Sequence, residues 1–387
     1  MDRFDFDHTP DRRGTSCVKW DEEPYPDVIP LWVADMDFKA APVIIEALER
    51  RVAHGVFGYA FPDTAYYAAI NEWFSRRHGI AVRQEDVIAV PGIVPAMSAI
   101  IRGLAPAGSA VIIQTPVYNC FFSSIRNNGC EIADAPLVRR HLPDGTFTYR
   151  MDFDALERQA SRPEATLMLL CNPHNPAGRL WTRSELERVS DICTRHGVTI
   201  VSDEIHCELT APGTGYVPMA TINPDTVYCV SPSKAFNTAG LHIGNIICGD
   251  PEKRARIDRA VNINEVCDVN PFGIEGLKAA YTERGAEWLD ACRDYLWGNY
   301  DLLRREFALH LPQCPVSLLE ATYLVWVDVT ALTDNAARLV RRLVEEARVH
   351  VNGGDMYGDN RYIRINLACP RERLEEGLKR IFANLNA

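Results

Sequence analysis

Two residues stand where buried apolar runs give way to polar turns, one an amine and the other a carboxylate. Lys234 follows Thr226–Val230, a β-branched and aromatic run that reads as a buried strand, within the turn Ser231-Pro-Ser-Lys. A lysine there is poorly hydrated, which lowers its pKa and frees the amine to attack carbonyls. Asp203 closes a second such run, Val198–Ser202. Alone, the lysine could be an ordinary surface charge and the aspartate a helix cap. Three further strand ends carry distinctive residues. Gly92 follows Asp86–Val90, Tyr118 follows Ala110–Gln114, and Asn175 follows Thr166–Leu170.

The elements that must position these residues alternate along the chain. Helices are predicted from Pro91-Gly92 through Ile101, over 152–160 and over Arg183–Arg195, between the strands above, with a further strand at Ile243–Cys248. Strands separated by helices imply crossover connections and a mostly parallel sheet, an α/β architecture. The carboxyl ends of such strands share one crevice, where ligands bind. There the five loops have complementary chemistry for pyridoxal 5′-phosphate. Lys234 can hold the aldehyde as a Schiff base, and Asp203 can pair with the pyridinium nitrogen so that the ring draws in electrons. Asn175 can donate to the ring's 3′ oxygen and Tyr118 can stack on the ring. Gly92, Ile93 and Val94 open a helix whose free N–H groups suit the phosphate, and Ser231 and Ser233 add hydroxyl donors. A nicotinamide-binding reading finds no GxGxxG, since Gly213-Thr-Gly215 follows no clean strand.

At 387 residues the chain exceeds one typical core and should form a large and a smaller domain. We expect a cofactor-binding domain over 46–285, with 1–45 and 286–387 forming an N-terminal arm and a small C-terminal α+β domain. A net charge of −11 argues against nucleic acid or an anionic membrane as partner. The first residues are too charged for a signal peptide, and no apolar run reaches the roughly 20 residues of a membrane helix. The expected location is therefore cytoplasmic. The twelve cysteines include no CxxC pair, and several lie in apolar runs, so reduced buried thiols are expected. No histidine stands at metal-ligand spacing, so no metal is assigned.

Outside that core, Val28–Phe38 reads as an apolar segment of an ordered arm, followed by a helix from Pro42. Gly55–Pro62 is a Gly/aromatic loop, and a helix follows over 64–78. Ala286–His310 is a long helical stretch placed to link the domains. Strands Tyr323–Val329 and Tyr362–Asn366 and helices over 335–346 and 371–385 complete the chain.

Several stretches resemble the class I/II aminotransferase superfamily of fold-type I pyridoxal-phosphate enzymes, particularly its cystathionine β-lyase or cysteine-S-conjugate β-lyase branch (the MalY/PatB type). They are Trp32-Val-Ala-Asp-Met-Asp-Phe38, Gly58-Tyr59, Pro116-Val-Tyr118, Cys171-Asn-Pro-His-Asn-Pro-Ala-Gly-Arg179, Ser202-Asp-Glu-Ile-His206, Ser233-Lys-Ala-Phe-Asn237 and Tyr362-Ile-Arg-Ile-Asn366. The resemblance implies a large domain with a mostly parallel seven-stranded sheet, and a homodimer with shared active sites in which Tyr59 reaches the other subunit's phosphate. It implies that Arg364 binds the substrate α-carboxylate through a planar fork, with the backbone of Val33 and Ala34 closing over it. His206 stands where aminotransferases usually carry a tyrosine; contact with the ring and simple packing at a strand end both remain open. His242 stands where many members carry a phosphate-binding arginine. The implied reaction is β-elimination on cystathionine, cysteine or S-substituted cysteines, giving a thiol, pyruvate and ammonia. Transamination is the alternative, and a regulator that binds a transcription factor is a third reading of another class.

Overall fold

The computed structural model describes residues 4–265 and 268–385. Seven strands form the central sheet: β1 (Val87–Val90), β2 (Ala110–Ile113), β3 (Glu131–Asp134), β4 (Ala165–Cys171), β5 (Thr199–Asp203), β6 (Val227–Val230) and β7 (Gly244–Ile247). Their spatial order is β1-β7-β6-β5-β4-β2-β3. Neighbours pair in parallel from β6 across to β3, whereas β7 is antiparallel to both β6 and β1. Six strands therefore run one way. The sequence pattern placed Ile243–Cys248 in the same alternating series without revealing its reversal. The reason lies in its connection. Between Lys234 and Gly244 there is only a short 3-10 turn, Ala239–Leu241, and no crossover helix, so the chain must fold back as an antiparallel neighbour.

The central strands are apolar on both faces because both are covered. Leu167, Leu169, Val201 and Cys229 pack with Ile93, Met97 and Ile100 of helix α3 (Ile93–Leu104). The alternate residues Met168, Leu170 and Ile200 pack with Leu156 of α5 (Phe153–Ala160) and Leu186 and Val189 of α6 (Arg183–Arg195). Helix α6 begins at a capping box in which Thr182 and Glu185 exchange hydrogen bonds with each other's backbone. Helices α1 (Pro42–His54) and α2 (Thr64–His78) precede the sheet. Helix α4 (Asn119–Asn127), strand β3 and the hairpin Val138–His141/Phe147–Arg150 were not anticipated. Their sequences are short and mixed in polarity, as in Glu131-Ile-Ala-Asp at the sheet edge.

Beyond β7, α7 (Pro251–Asn262) and α8 (Pro271–Ala280) lead to α9 (Glu283–His310), 28 residues long. Trp288, Leu289 and Leu296 of α9 belong to one apolar cluster with α1 and α2, while Leu302, Leu303 and Phe307 belong to a second. That second cluster backs a three-stranded antiparallel sheet of β8 (Leu324–Asp328), β10 (Tyr362–Asn366) and β9 (Asn352–Gly353), in the order β8-β10-β9. Helix α10 (Ala336–Arg342) precedes β9 and α11 (Arg371–Leu385) closes the chain. The helix expected over 335–346 changes to a π-type turn at Leu343–Ala347 and stops at Arg348, which has φ of +58°. The N-terminal arm is ordered, with Phe6, Val28, Leu31, Met36 and Phe38 buried, and its Ile29-Pro30 pairs in parallel with Val349-His350.

Candidate active site

Because six strands are parallel, the loops after β1, β2, β4, β5 and β6 leave the sheet at one edge, and a cavity of about 550 Å³ opens there. Gly92, Ile93, Val94, Tyr118, Asn175, Asp203, His206, Ser233 and Lys234 line it, joined by Val33 and Ala34 of the arm and Arg364 of β10. Two expected residues lie elsewhere. Ser231 is buried behind Ser233, its hydroxyl donating to the Ile243 carbonyl (2.7 Å) and accepting from Ser233 N (3.1 Å), so it braces the turn instead of facing the cavity. Tyr59 is fully exposed on the Gly/aromatic loop.

Lys234 faces the cavity, and its Nζ donates to the Ala34 carbonyl at 2.7 Å. Burial pushes its pKa down to about 8, with the Arg364 charge acting the same way and Asp35 and Asp203 opposing. Asp203 ends β5, buried, and among the described residues its carboxylate accepts one hydrogen bond, from Ile205 N (3.2 Å). Burial pushes its carboxyl up to about 6, and the Ile205 bond and Lys234 charge oppose this. Among the described residues His206 Nδ1 has no partner, and burial holds the ring well below the ordinary histidine pKa, hence neutral. Arg364 is 3% exposed. Its Nη1 donates to Asn175 Oδ1 (3.1 Å) and its Nη2 to the Trp32 carbonyl (2.9 Å), while Nε has no partner among the described residues. Among the described residues no carboxylate pairs with this guanidinium. It lies 4.8 Å above the Tyr357 ring, a cation–π contact that accepts the charge without neutralising it.

Gly92 caps α3 with φ of +152°, a conformation open to glycine, and leaves the first N–H groups of the helix free toward the cavity. Tyr118 caps α4, where burial holds its phenol protonated, well above the ordinary tyrosine pKa.

The strip 32–38 is stitched from both sides. Asn237, three residues past Lys234 and at φ of +55°, donates to the Met36 and Phe38 carbonyls (2.9 and 2.8 Å) and accepts from Met36 N (2.9 Å). From β10, Asn366 donates to the Val33 and Asp35 carbonyls. Trp32 donates to Glu23 (2.7 Å) and stacks on His350 at 4.8 Å.

A family model for aminotransferase class I and II matches residues 26–381. The chain belongs to this family. Among curated relatives, cystathionine beta-lyase PatB of Bacillus subtilis (strain 168) is 38% identical, over 99% of this chain and 100% of the relative. Protein MalY of Escherichia coli (strain K12) is 34% identical over 97% of each chain. The crystal structure of cystalysin from Treponema denticola, which contains pyridoxal 5′-phosphate, superposes with a TM-score of 0.93 at 31% identity, covering 99% of each chain. The architecture is that of fold-type I transferases.

This class I/II aminotransferase chain also brings residues to the cavity that reasoning from sequence did not single out. Tyr357, Cys120 and Asn352 line it, and Asn352 Nδ2 donates to the Trp32 carbonyl at 2.9 Å. Asn237 closes the stretch Ser233-Lys-Ala-Phe-Asn237, and its role depends on a left-handed φ that residue type alone does not reveal. His242 also lines the cavity. Away from the cavity, His78, Cys207 and Glu208 come within 4.8 Å of one another. Glu208 is already bonded by Trp73 (2.7 Å), Arg77 (2.9 Å) and His78 (2.6 Å), an arrangement that reads as an internal ion network because the Arg77 charge opposes a cation there. All eleven described cysteines are free thiols and nine are buried. No helix among the described residues is long and apolar enough to cross a membrane.

Proposed function

We propose that this protein uses pyridoxal 5′-phosphate to catalyse β-elimination on sulfur amino acids (cystathionine, cysteine and S-substituted cysteines), giving a thiol, pyruvate and ammonia. The observation that carries this reading is a single cavity holding an enclosed amine, a buried carboxylate and a buried guanidinium without an acidic partner. An amino acid brings a carboxylate for the last of these, and buried charges otherwise go unpaired only at high cost.

The residues fit the cofactor. Asp203 has an oxygen without a partner for a protonated ring nitrogen. Asn175 spends its Oδ1 on Arg364 and keeps its amide N–H groups for a ring oxygen. Tyr118 offers a ring face. The N–H groups following Gly92, with the Ser233 hydroxyl, suit a phosphate, while His242 occupies the place of the usual arginine. When bound, pyridoxal phosphate supplies an electron-poor ring that takes up the electron pair released at the substrate α-carbon. Arg364 orients the substrate by two parallel hydrogen bonds to its carboxylate, beneath the backbone of Val33 and Ala34. Lys234, with a pKa near 8, is partly neutral at neutral pH, so its Nζ can remove the α-proton and later return it to the departing sulfur. Val33 and Ala34 of the arm and Tyr357 of the small domain line the same cavity.

The functional molecule in this reading is a homodimer in which Tyr59, on a loop with exposed Phe57 and Phe61, reaches the partner's phosphate. Residues 46–285 form the cofactor-binding domain, with 1–45 and 286–387 as arm and small domain. The test is pyruvate and thiol release from cystathionine with no keto acid added. The expected result is both products from the native chain and a loss of about 10²- to 10⁴-fold for Lys234→Ala. Activity that appears only with an added keto acid would establish transamination instead.

A further inference from the structure

Lys234 is not alone at the Ala34 carbonyl. Tyr323 Oη donates to the same oxygen at 3.0 Å, and a carbonyl oxygen has lone pairs for both donors. Tyr323 is fully buried immediately before β8. Its backbone carbonyl accepts from Leu367 N (2.9 Å), and the preceding Thr322, at φ of +73°, donates its N–H to the Leu209 carbonyl (2.6 Å). The hydroxyl is thus presented from a fixed platform. Burial holds the phenol protonated, so it remains a donor throughout the working pH range.

The neighbouring carbonyls show the same pattern. Trp32 O is bonded by Arg364 and Asn352, Val33 O and Asp35 O by Asn366, and Met36 O by Asn237 and Arg12. Ala34 O is the position where the fixed donor is a tyrosine and the other is the lysine amine itself. No other acceptor holds Nζ among the described residues.

We propose that Tyr323 is a positioning residue for Lys234, clamping the Ala34 peptide so that its carbonyl receives the lysine amine whenever that amine is free. The inference rests on Lys234 carrying the α-proton. A four-carbon side chain must find a defined place from which to take that proton and return it, and misplacement lowers the rate without weakening substrate binding.

The test is Tyr323→Phe in the full chain, which removes the hydroxyl and keeps the ring. Before reconstitution with pyridoxal phosphate, Lys234 is labelled with acetic anhydride across a pH series and read by mass spectrometry, with Lys253 as internal reference. An acceptor favours the ammonium, so loosening it should lower the midpoint of Lys234 reactivity by about half a pH unit. After reconstitution, kcat read on its plateau above pH 8, where the amine is neutral in both proteins, should fall about three- to tenfold with KM unchanged. A Lys234 midpoint that stays or rises overturns the proposal, whatever happens to the rate or the melting temperature, because tyrosine would then be only a packing residue. Tyr323→Met, read the same way, covers a Phe variant that does not fold. If Lys234→Ala retains lyase activity, the assignment of the base falls with it. If Lys234→Ala is inactive and the Tyr323→Phe midpoint is unmoved, only this inference falls.

Discussion

Asp203 and Lys234 are each held in a protonation state that burial resists, and this gives the cofactor-free chain a specific pH response. The Asp203 carboxyl, raised to about 6 from 3.8, binds its proton more tightly in the folded chain. The folded state therefore holds more protons between those values, and stability falls as pH rises through that window, by about 2–3 kcal/mol in all. Asp203→Asn should consequently raise the melting temperature of the cofactor-free chain at pH 7 while abolishing pyruvate formation. An unchanged or lower melting temperature in calorimetry would count against a desolvated carboxylate. Lys234 works in the opposite direction: its proton is lost near pH 8, so kcat should climb with pH toward a plateau above that value. A profile already flat at pH 6 would exclude it as base. At Arg364 the fork is the point, and Arg364→Lys keeps the charge but loses one of two parallel bonds. KM for the amino acid should rise at least about tenfold, read from initial rates.

At the level of elements, the cavity depends on strand ends, and strand ends were the legible part of the sequence. Short β-branched runs broken by Pro, Gly or Asn located Gly92, Tyr118, Asn175, Asp203 and Lys234 correctly at one sheet edge, since direction and edge follow from crossover connections. The reversal of β7 was not legible, because it depends on the missing helix between two strands and no residue type announces it. Tyr357 and Asn352 escaped for a different reason: they reach the cavity only through packing of a second sheet from some hundred residues away. Helix α3 yields an expectation of its own. Gly92→Ala meets only ordinary contact, with Pro95 Cδ 3.6 Å from the added carbon, so its cost is backbone strain at φ of +152°, about 1–3 kcal/mol. Cofactor affinity, measured by spectrophotometric titration, should weaken roughly tenfold or more while the fold persists.

For the whole molecule, the two apolar clusters are joined by α9, about 42 Å of continuous helix at 1.5 Å per residue, and by the arm strip held from both sides. Asn237→Gly isolates the second of these ties. It preserves the left-handed backbone and removes the three hydrogen bonds to Met36 and Phe38, each worth about 1 kcal/mol. Limited proteolysis should then cut within 28–38 faster than in the native chain, with kcat reduced. Equal cutting rates would show that Asn366 and the salt bridges of Asp37 to buried Lys19 and half-buried Arg373 suffice. The carbonyl that Arg364 grips belongs to Trp32, and the one that Lys234 grips belongs to Ala34, two peptide units along the same ribbon, a span of about 7 Å. A carboxylate arriving at the guanidinium competes for the bond to Trp32, and any tug it gives the ribbon is felt almost at once by the amine. Occupancy and proton removal thus share a single short tether.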